Sequence, residues 1–420
     1  MRAGPSQEDI RRHNLGALLR HVHLGGPISR AELTSKMGLN RSTIMALTSD
    51  LTAAGLVREE LPRETGRAGR PSLVVRPESS RVYVFAFDVG PDRLAAARVG
   101  LGGAILDRRE TARRRGPFDL DELAGTLAGF ARQMRRKTRA DTVCVGAAAA
   151  VSGGVRKDDG VIMFGPNLGA KVVPFGEELG RRLGLGLPVS VGNDANLAAL
   201  AEHSRGVAVG VRDLIYLHGD VGIGGGIITG GHLLGGHDGY GGEVGHMVVN
   251  PGGQPCGCGS RGCLEAEVGE RALLEAAGRA AARGESRAAA RDGLPEPGDG
   301  TRRQGRDAVR AVVDAADRGD IVAQEALKRV GGWLGLGVAN LVNIFNPEMV
   351  IFGGMLREVY LGSAAQVRSR LATHAMGPQR ERLRLRTSAL ADDATLVGAA
   401  ELAFAHVLAD PLEVLARVTG

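Results

Sequence analysis

The sequence predicts an α/β protein in which a small helical head, residues 1–77, precedes a larger two-lobed body, residues 78–420. Two observations carry that expectation. Residues 81–110 read as a strand, a glycine turn and a second strand, VYVFAFDVG then LAAARVGLGGAIL, and DLIYLHGDVGIGGGII from Asp213 to Ile228 repeats the plan about 130 residues later, as a duplicated two-lobed fold would. The first residues instead space their apolar side chains as helices do.

In the head, Ile10, Leu15, Leu18, Leu19 and Val22 place one face of a helix over residues 10–24, which Gly25-Gly26-Pro27 breaks. Ser29-Arg-Ala-Glu32 is a capping-box pattern that starts a short second helix ending near Gly38. Asn40 caps a third helix through Ala54, burying Ile44, Leu47 and Leu51 and leaving Arg41, Ser42, Thr43, Met45 and Ser49 to its outer face or its start. Two short helices joined by a glycine-containing turn and followed by Gly55-Leu56-Val57 read as a winged helix-turn-helix, with Arg41, Ser42, Thr43 and Ser49 as its DNA contacts. A small protein-binding helical module is the alternative. Arg67-Ala-Gly-Arg70-Pro71 favours DNA, because a thin basic segment can lie in a narrow minor groove, although a charged linker would look the same. Twelve Arg or Lys against eight Asp or Glu between Met1 and Glu78 place about four of the six excess positive charges at this end. A polyanion is the partner such a distribution suits.

Three of the four cysteines and a histidine fall between Glu243 and Glu265. His246, Cys256, Cys258 and Cys263 are the right donors for a tetrahedral zinc, and Gly257, Gly259 and Gly262 let a tight loop wrap it. Four protein ligands leave no open position, so the expected zinc is structural. Disulfides or plain thiols are the alternatives.

The same segment carries a family resemblance. Glu243-Val-Gly-His246 followed by CGCGSRGCLE, Cys256 to Glu265, resembles the signature of the ROK family of bacterial repressors and sugar kinases, and the likeness runs from about Arg81 to the C terminus. It implies an actin-like or hexokinase-like fold with lobes at about 78–195 and 196–395 and a C-terminal helix returning to the first lobe. It also implies a sugar site. Gly165-Pro-Asn167-Leu-Gly169 and Val191-Gly-Asn193-Asp194-Ala-Asn196 resemble the family's sugar-side segments, which Glu243, His246 and Glu265 complete. Asp194 matches the position of the kinase general base.

Two phosphate turns depart from the kinase pattern. Where the kinases resemble D-x-G-G-T, this chain has Asp88-Val-Gly90-Pro91-Asp92, and where they have G-T-G-I-G it has Asp220-Val-Gly222-Ile-Gly224. Proline removes an N–H, and each carboxylate would repel a triphosphate. Asn346-Pro-Glu348 and Gly353-Gly354, which resemble an adenosine-side segment, also suit a structural turn. Val151-Ser152-Gly153 lacks the family's proline, a change the sequence does not explain.

The expected protein is therefore a cytoplasmic, non-enzymatic repressor that binds operator DNA and a small sugar effector as a homodimer or homotetramer, with no membrane association and with the zinc loop as the candidate coupling element. A sugar kinase with an added DNA-binding head, or a repressor answering to a protein partner, are the other readings. The start, MRAGPSQEDIRRH, has no apolar core of a signal peptide, and Val330–Gly354 reads as a buried helix and strand. Residues 285–306 read as a surface insertion, and Cys144 as an inert core thiol.

Overall fold

The computed structural model describes residues 6–62, 72–116, 118–165, 172–281 and 305–419. Its head consists of α1 (Gln7–Gly25), β1 (Ile28–Ser29), α2 (Arg30–Met37), α3 (Arg41–Ala53), β2 (Val57–Glu60) and β3 (Val74–Pro77). The side chain of Ser29 accepts from the amide of Glu32, whose carboxylate accepts the amide of Ser29 in return. Gly38 ends α2 in the left-handed region, at φ 65°. Asn40 Oδ1 then accepts the amide of Thr43 at 2.8 Å to open α3. Each cap satisfies amides that lack a partner within the helix and contributes about 1 kcal/mol. The three strands form an antiparallel sheet in the order β1-β3-β2.

The body holds two sheets of one topology. The first is built from β4 (Val82–Val89), β5 (Arg93–Gly100), β6 (Ile105–Ala112), β7 (Val143–Val151) and β10 (Val189–Asn193), with α4 (Leu120–Arg135), β8 (Gly154–Val155), β9 (Ile162–Phe164) and α5 (Phe175–Leu183) in between. Its order is β10-β7-β4-β5-β6. After α6 (Asp194–Arg205) come β11 (Leu214–Gly219), β12 (Ile223–Thr229), β13 (His232–Leu233), α7 (Leu264–Val268), α8 (Glu270–Ala281), α9 (Arg306–Asp317), α10 (Ile321–Phe345), β14 (Met349–Gly354), α11 (Met355–His374), α12 (Gly377–Glu381) and β15 (Arg384–Thr387). These strands form the second sheet, β13-β12-β11-β14-β15. In both, three antiparallel strands are followed by two added parallel to the first, which is the duplication the two strand-turn-strand segments foretold.

One element differs from expectation. Residues 94–106 do not make one strand, because Leu101-Gly102-Gly103 turns the chain and separates β5 from β6. Gly102 and Gly103 sit at φ 99° and 86°, a region open to glycine but costly for other residues. Gly305 and Arg306, read as part of an insertion, instead begin α9; the rest of that segment lies outside the described residues.

The last helices, α13 (Ala394–Ala409) and α14 (Pro411–Thr419), return to the first lobe. There Leu396, Phe404 and Val407 share one buried cluster with Val84 of β4 and with Leu15, Leu18, Leu19 and Val22 of α1. The head is thus seated on the body through α1. Val330–Gly354 forms the end of α10 and β14, as read from the sequence, and among the described residues no single helix is long and apolar enough to cross a membrane.

Candidate functional site

A hollow of about 80 Å³ opens between the lobes at the start of α6. Asn193 caps the helix: its Oδ1 accepts the amide of Asn196 at 3.0 Å, and its Nδ2 donates to Gly153 O at 3.1 Å. Asp194 follows as the first helical residue, one oxygen accepting the amide of Ala195 and the other the hydroxyl of Ser152. Glu265, just past the last cysteine, accepts the amide of Ile223 at 3.0 Å. Glu243 precedes a single 3-10 turn ending at His246; its side chain stays 44% exposed, and partial desolvation at the cleft raises its carboxyl above the usual range. Asn193, Asp194, Glu243, His246 and Glu265 therefore line one hollow. Asn167 lies outside the described residues.

Three residues that the sequence names without assigning them to the hollow take part in it or adjoin it. Ser152 gives the missing proline a reason, since its hydroxyl holds Asp194 from 42 residues away. The side-chain oxygen of Asn196 is buried without a partner in an adjoining recess beside Glu243, an acceptor left for something else to satisfy. Asp220 faces the hollow from the β11–β12 turn.

Beyond Asp220 the hollow widens by about 250 Å³ toward the two glycine turns. Two of their amides are engaged within the turns, Gly90 donating to Arg93 O at 3.0 Å and Asp220 to Gly222 O at 2.9 Å, and Pro91 has no N–H. The guanidiniums have carboxylate partners, and of their nitrogens Arg306 Nε stays buried without one. Arg93 pairs with Asp88 at 3.0 Å and Arg306 with Asp392, while Arg115 bridges Asp92 at 2.6 Å and, across the lobes, Glu270 at 2.8 Å. Asn346 is the left-handed cap of α10, at φ 47°.

His246, Cys256, Cys258 and Cys263 bring one ligand atom each within 4.8 Å of all the others, close enough to hold a metal ion. Cys258 Sγ lies 3.8 Å from Cys263 Sγ, and Cys256 Sγ 3.6 Å from His246 Nδ1. A tetrahedron with metal–sulfur bonds of about 2.3 Å needs sulfur separations of about 3.8 Å. The loop closes because Gly262, at φ 69°, lies against Asn250 O, where a Cβ would approach to 1.7 Å. His246 directs Nδ1 to the cysteines and Nε2 toward Glu243, 4.0 Å away, so one ring joins the cluster to the hollow.

At its other end α6 meets the head. Arg205 Nε donates to Glu401 of α13 at 2.5 Å, Nη1 to Gly102 O at 2.8 Å and Nη2 to His23 O at 3.2 Å. His23, the last basic residue of α1, is fully buried, with Nε2 3.1 Å from Glu401 and Nδ1 accepting the amide of Gly102 at 2.9 Å. Nε2 lies between the carboxylate of Glu401 and Nη2 of Arg205, 2.7 Å away, so the ring is enclosed on both sides. Burial holds His23 below its usual pKa, and for Glu401 the pull of His23 and Arg205 outweighs burial and holds it low. The junction is thus a neutral imidazole against an ion pair.

On α3, Arg41, Ser42 and Ser49 are exposed and Thr43 is half-buried, with the Ser42 hydroxyl donating to Asn40 Oδ1 at 2.7 Å. Arg67 and Arg70 lie outside the described residues.

The profile of the ROK family matches residues 84–406. The chain belongs to the ROK family. Among its ROK relatives, the xylose repressor of Caldicellulosiruptor bescii is 30% identical over 389 residues, covering 91% of this chain and 93% of that protein. A ROK transcriptional regulator described as a homologue of the Escherichia coli Mlc protein superposes with a TM-score of 0.79 at 26% identity, covering 98% of this chain and all of that one. A ROK glucokinase from Streptomyces griseus, solved with glucose and AMPPNP, gives 0.63 at 31% identity over 76% of this chain and 99% of its own. The ROK regulator thus matches head and body together, whereas the kinase matches about three quarters of the chain.

Proposed function

We propose that this protein is a sugar-responsive transcriptional repressor whose head is a winged helix-turn-helix and whose body binds sugar without phosphorylating it. The carrying observation is the course of α6, which starts at Asp194 in the hollow and ends at Arg205 against the head. Twelve residues at about 1.5 Å each make a rod of about 18 Å. A sugar that draws the lobes together around Asp194 shifts this rod, and Arg205 passes the shift to His23 and α1. The regulator and repressor likenesses, which extend through the head, support the DNA-binding half of the reading.

Asn193, Asp194, Asn196, Glu243 and Glu265 suit a polyol, since each can accept from neighbouring hydroxyls, and carboxylates bond about twice as strongly as neutral acceptors. Asn167 is assigned to the same site by its place in the family pattern. Asp194 serves as an acceptor oriented by Ser152. Arg41, Ser42, Thr43 and Ser49 contact operator DNA, with Arg67 and Arg70 reaching its minor groove. Zinc, held by His246, Cys256, Cys258 and Cys263, fixes the loop that presents Glu243, His246 and Glu265. The chain works in the cytoplasm as a dimer or tetramer whose two heads match paired half-sites.

The engaged amides of Gly90 and Asp220, the missing N–H of Pro91 and the paired guanidiniums speak against phosphoryl transfer, which relies on such donors. Calorimetry over a sugar panel, beside an ADP-release assay on the same sugars, tests this. The expected result is a sugar that binds, loses its affinity in Asp194→Ala and gives no ADP. Turnover would overturn it.

A further inference from the structure

The hollow has a charge asymmetry that bears on which sugars it admits. The reasoning rests on the cleft being a sugar site, as proposed above. Asp194 lines both the hollow and the wider space beyond it, so a hydroxyl facing Asp194 borders that space. Here Asp220 stands at the boundary, lining both parts of the cleft. Behind it are Asp88 and Asp92, each already holding a guanidinium. Arg306, the other cation on the wall, pairs with Asp392. Both guanidiniums on this wall thus have carboxylate partners, the amides of Gly90 and Asp220 are engaged and Pro91 has none, so that apart from the His218 imidazole the charge facing an incoming anion is acidic.

We propose that Asp220 is the specificity-determining residue for the charge of the effector, so that the cleft takes an uncharged sugar with a free hydroxyl toward Asp194 and rejects the phosphate ester of that sugar. Burial, opposed by His218 and reinforced by Asp194, Asp92 and Asp88, pushes the Asp220 carboxyl up to about 6, so it remains ionised at neutral pH. A phosphate monoester brings close to two negative charges into the same space. An uncharged hydroxyl, by contrast, donates to a carboxylate. The discrimination is therefore by repulsion of the wrong ligand as much as by attraction of the right one. The consequence for regulation is that the protein reports on sugar before phosphorylation, so the reaction class that consumes its effector is phosphoryl transfer to that sugar.

The test is calorimetry on the full-length protein with glucose, N-acetylglucosamine and xylose, each beside its terminal phosphate ester: glucose 6-phosphate, N-acetylglucosamine 6-phosphate and xylose 5-phosphate. The expected result is that one free sugar binds and its ester binds at least about a hundredfold more weakly. In Asp220→Asn, which keeps the shape and removes the charge, the ratio of ester to free-sugar affinity rises at least about tenfold. Asp220→Thr gives the same ratio test should the first variant melt early. An ester that binds wild-type protein as tightly as its free sugar overturns the proposal, as does a ratio unchanged in both folded variants. If neither form of any sugar binds, the sugar-site reading fails and this inference falls with it.

Discussion

Asp194 and Arg205 are the first and last residues of one helix, and they belong to different machines: Asp194 lines the cleft, and Arg205 grips the carbonyl of His23 in the head. A helix that is hydrogen-bonded along its length transmits displacement at either end better than a loop does. The sequence had pointed to the zinc loop as the coupling element. That loop contributes His246 and Glu265 to the cleft, and α6 runs from the same cleft to the head.

Arg205→Ala should therefore uncouple the protein. The side chains of Arg205 and Glu401 are 14% and 6% exposed, so removing the cation leaves a buried carboxylate without its ion-pair partner. We expect a loss of roughly 3 kcal/mol in urea unfolding, part of it restored in the Arg205→Ala/Glu401→Gln double variant. Sugar affinity should change by less than about threefold, while the effect of sugar on operator affinity falls at least about fivefold.

Zinc should be present at one ion per chain and lost in Cys258→Ser, as read by metal analysis. Because Cys263 and His246 frame Glu265 and Glu243, the variant should bind sugar about tenfold or more weakly and melt several degrees lower. Unchanged sugar affinity without zinc would confine the metal to local packing.

Asp220 gives a pH signature. Its folded pKa, about 6, lies above its ordinary value of 3.8, so ionisation is harder in the folded protein. The sign follows: the carboxyl's contribution is intact below pH 3.8 and is lost as the pH rises through 6. Asp220→Asn should thus match wild type near pH 3.8, gain progressively above it, and be more stable by on the order of 2–3 kcal/mol at pH 7, using about 1.4 kcal/mol per pK unit. Thermal melts at pH 4, 5, 6 and 7 measure it.

On the head, Arg41→Ala should weaken operator binding across sequences and lower the salt slope by about one, the mark of a lost phosphate contact. Asn40→Ala should instead cost about 1 kcal/mol of stability, through the amide of Thr43.

The parts of this molecule legible in the sequence are those in which cause and effect are close along the chain. Ser29 and Asn40 announced their helices because a cap acts over three residues. The cysteine spacing announced a cluster that could hold a metal because one loop carries most of it. The break between β5 and β6 was missed because Gly102 and Gly103 follow an apolar run and read as its continuation. Ser152 stands out in the sequence only as a departure without a cause, because its reason is a carboxylate 42 residues on. The junction of His23, Arg205 and Glu401 was invisible, since its members are separated by 182 and 196 residues and each alone reads as an ordinary surface charge.

The most direct test of the account is fluorescence anisotropy of the zinc-loaded protein on its own upstream DNA, titrated with the sugar that calorimetry identifies, in wild type and in Asp194→Asn. The account predicts that sugar shifts the operator affinity of wild type by at least about tenfold, a coupling of about 1.4 kcal/mol, and leaves Asp194→Asn unmoved. Operator binding that no sugar alters, in a protein that binds the sugar, would contradict it.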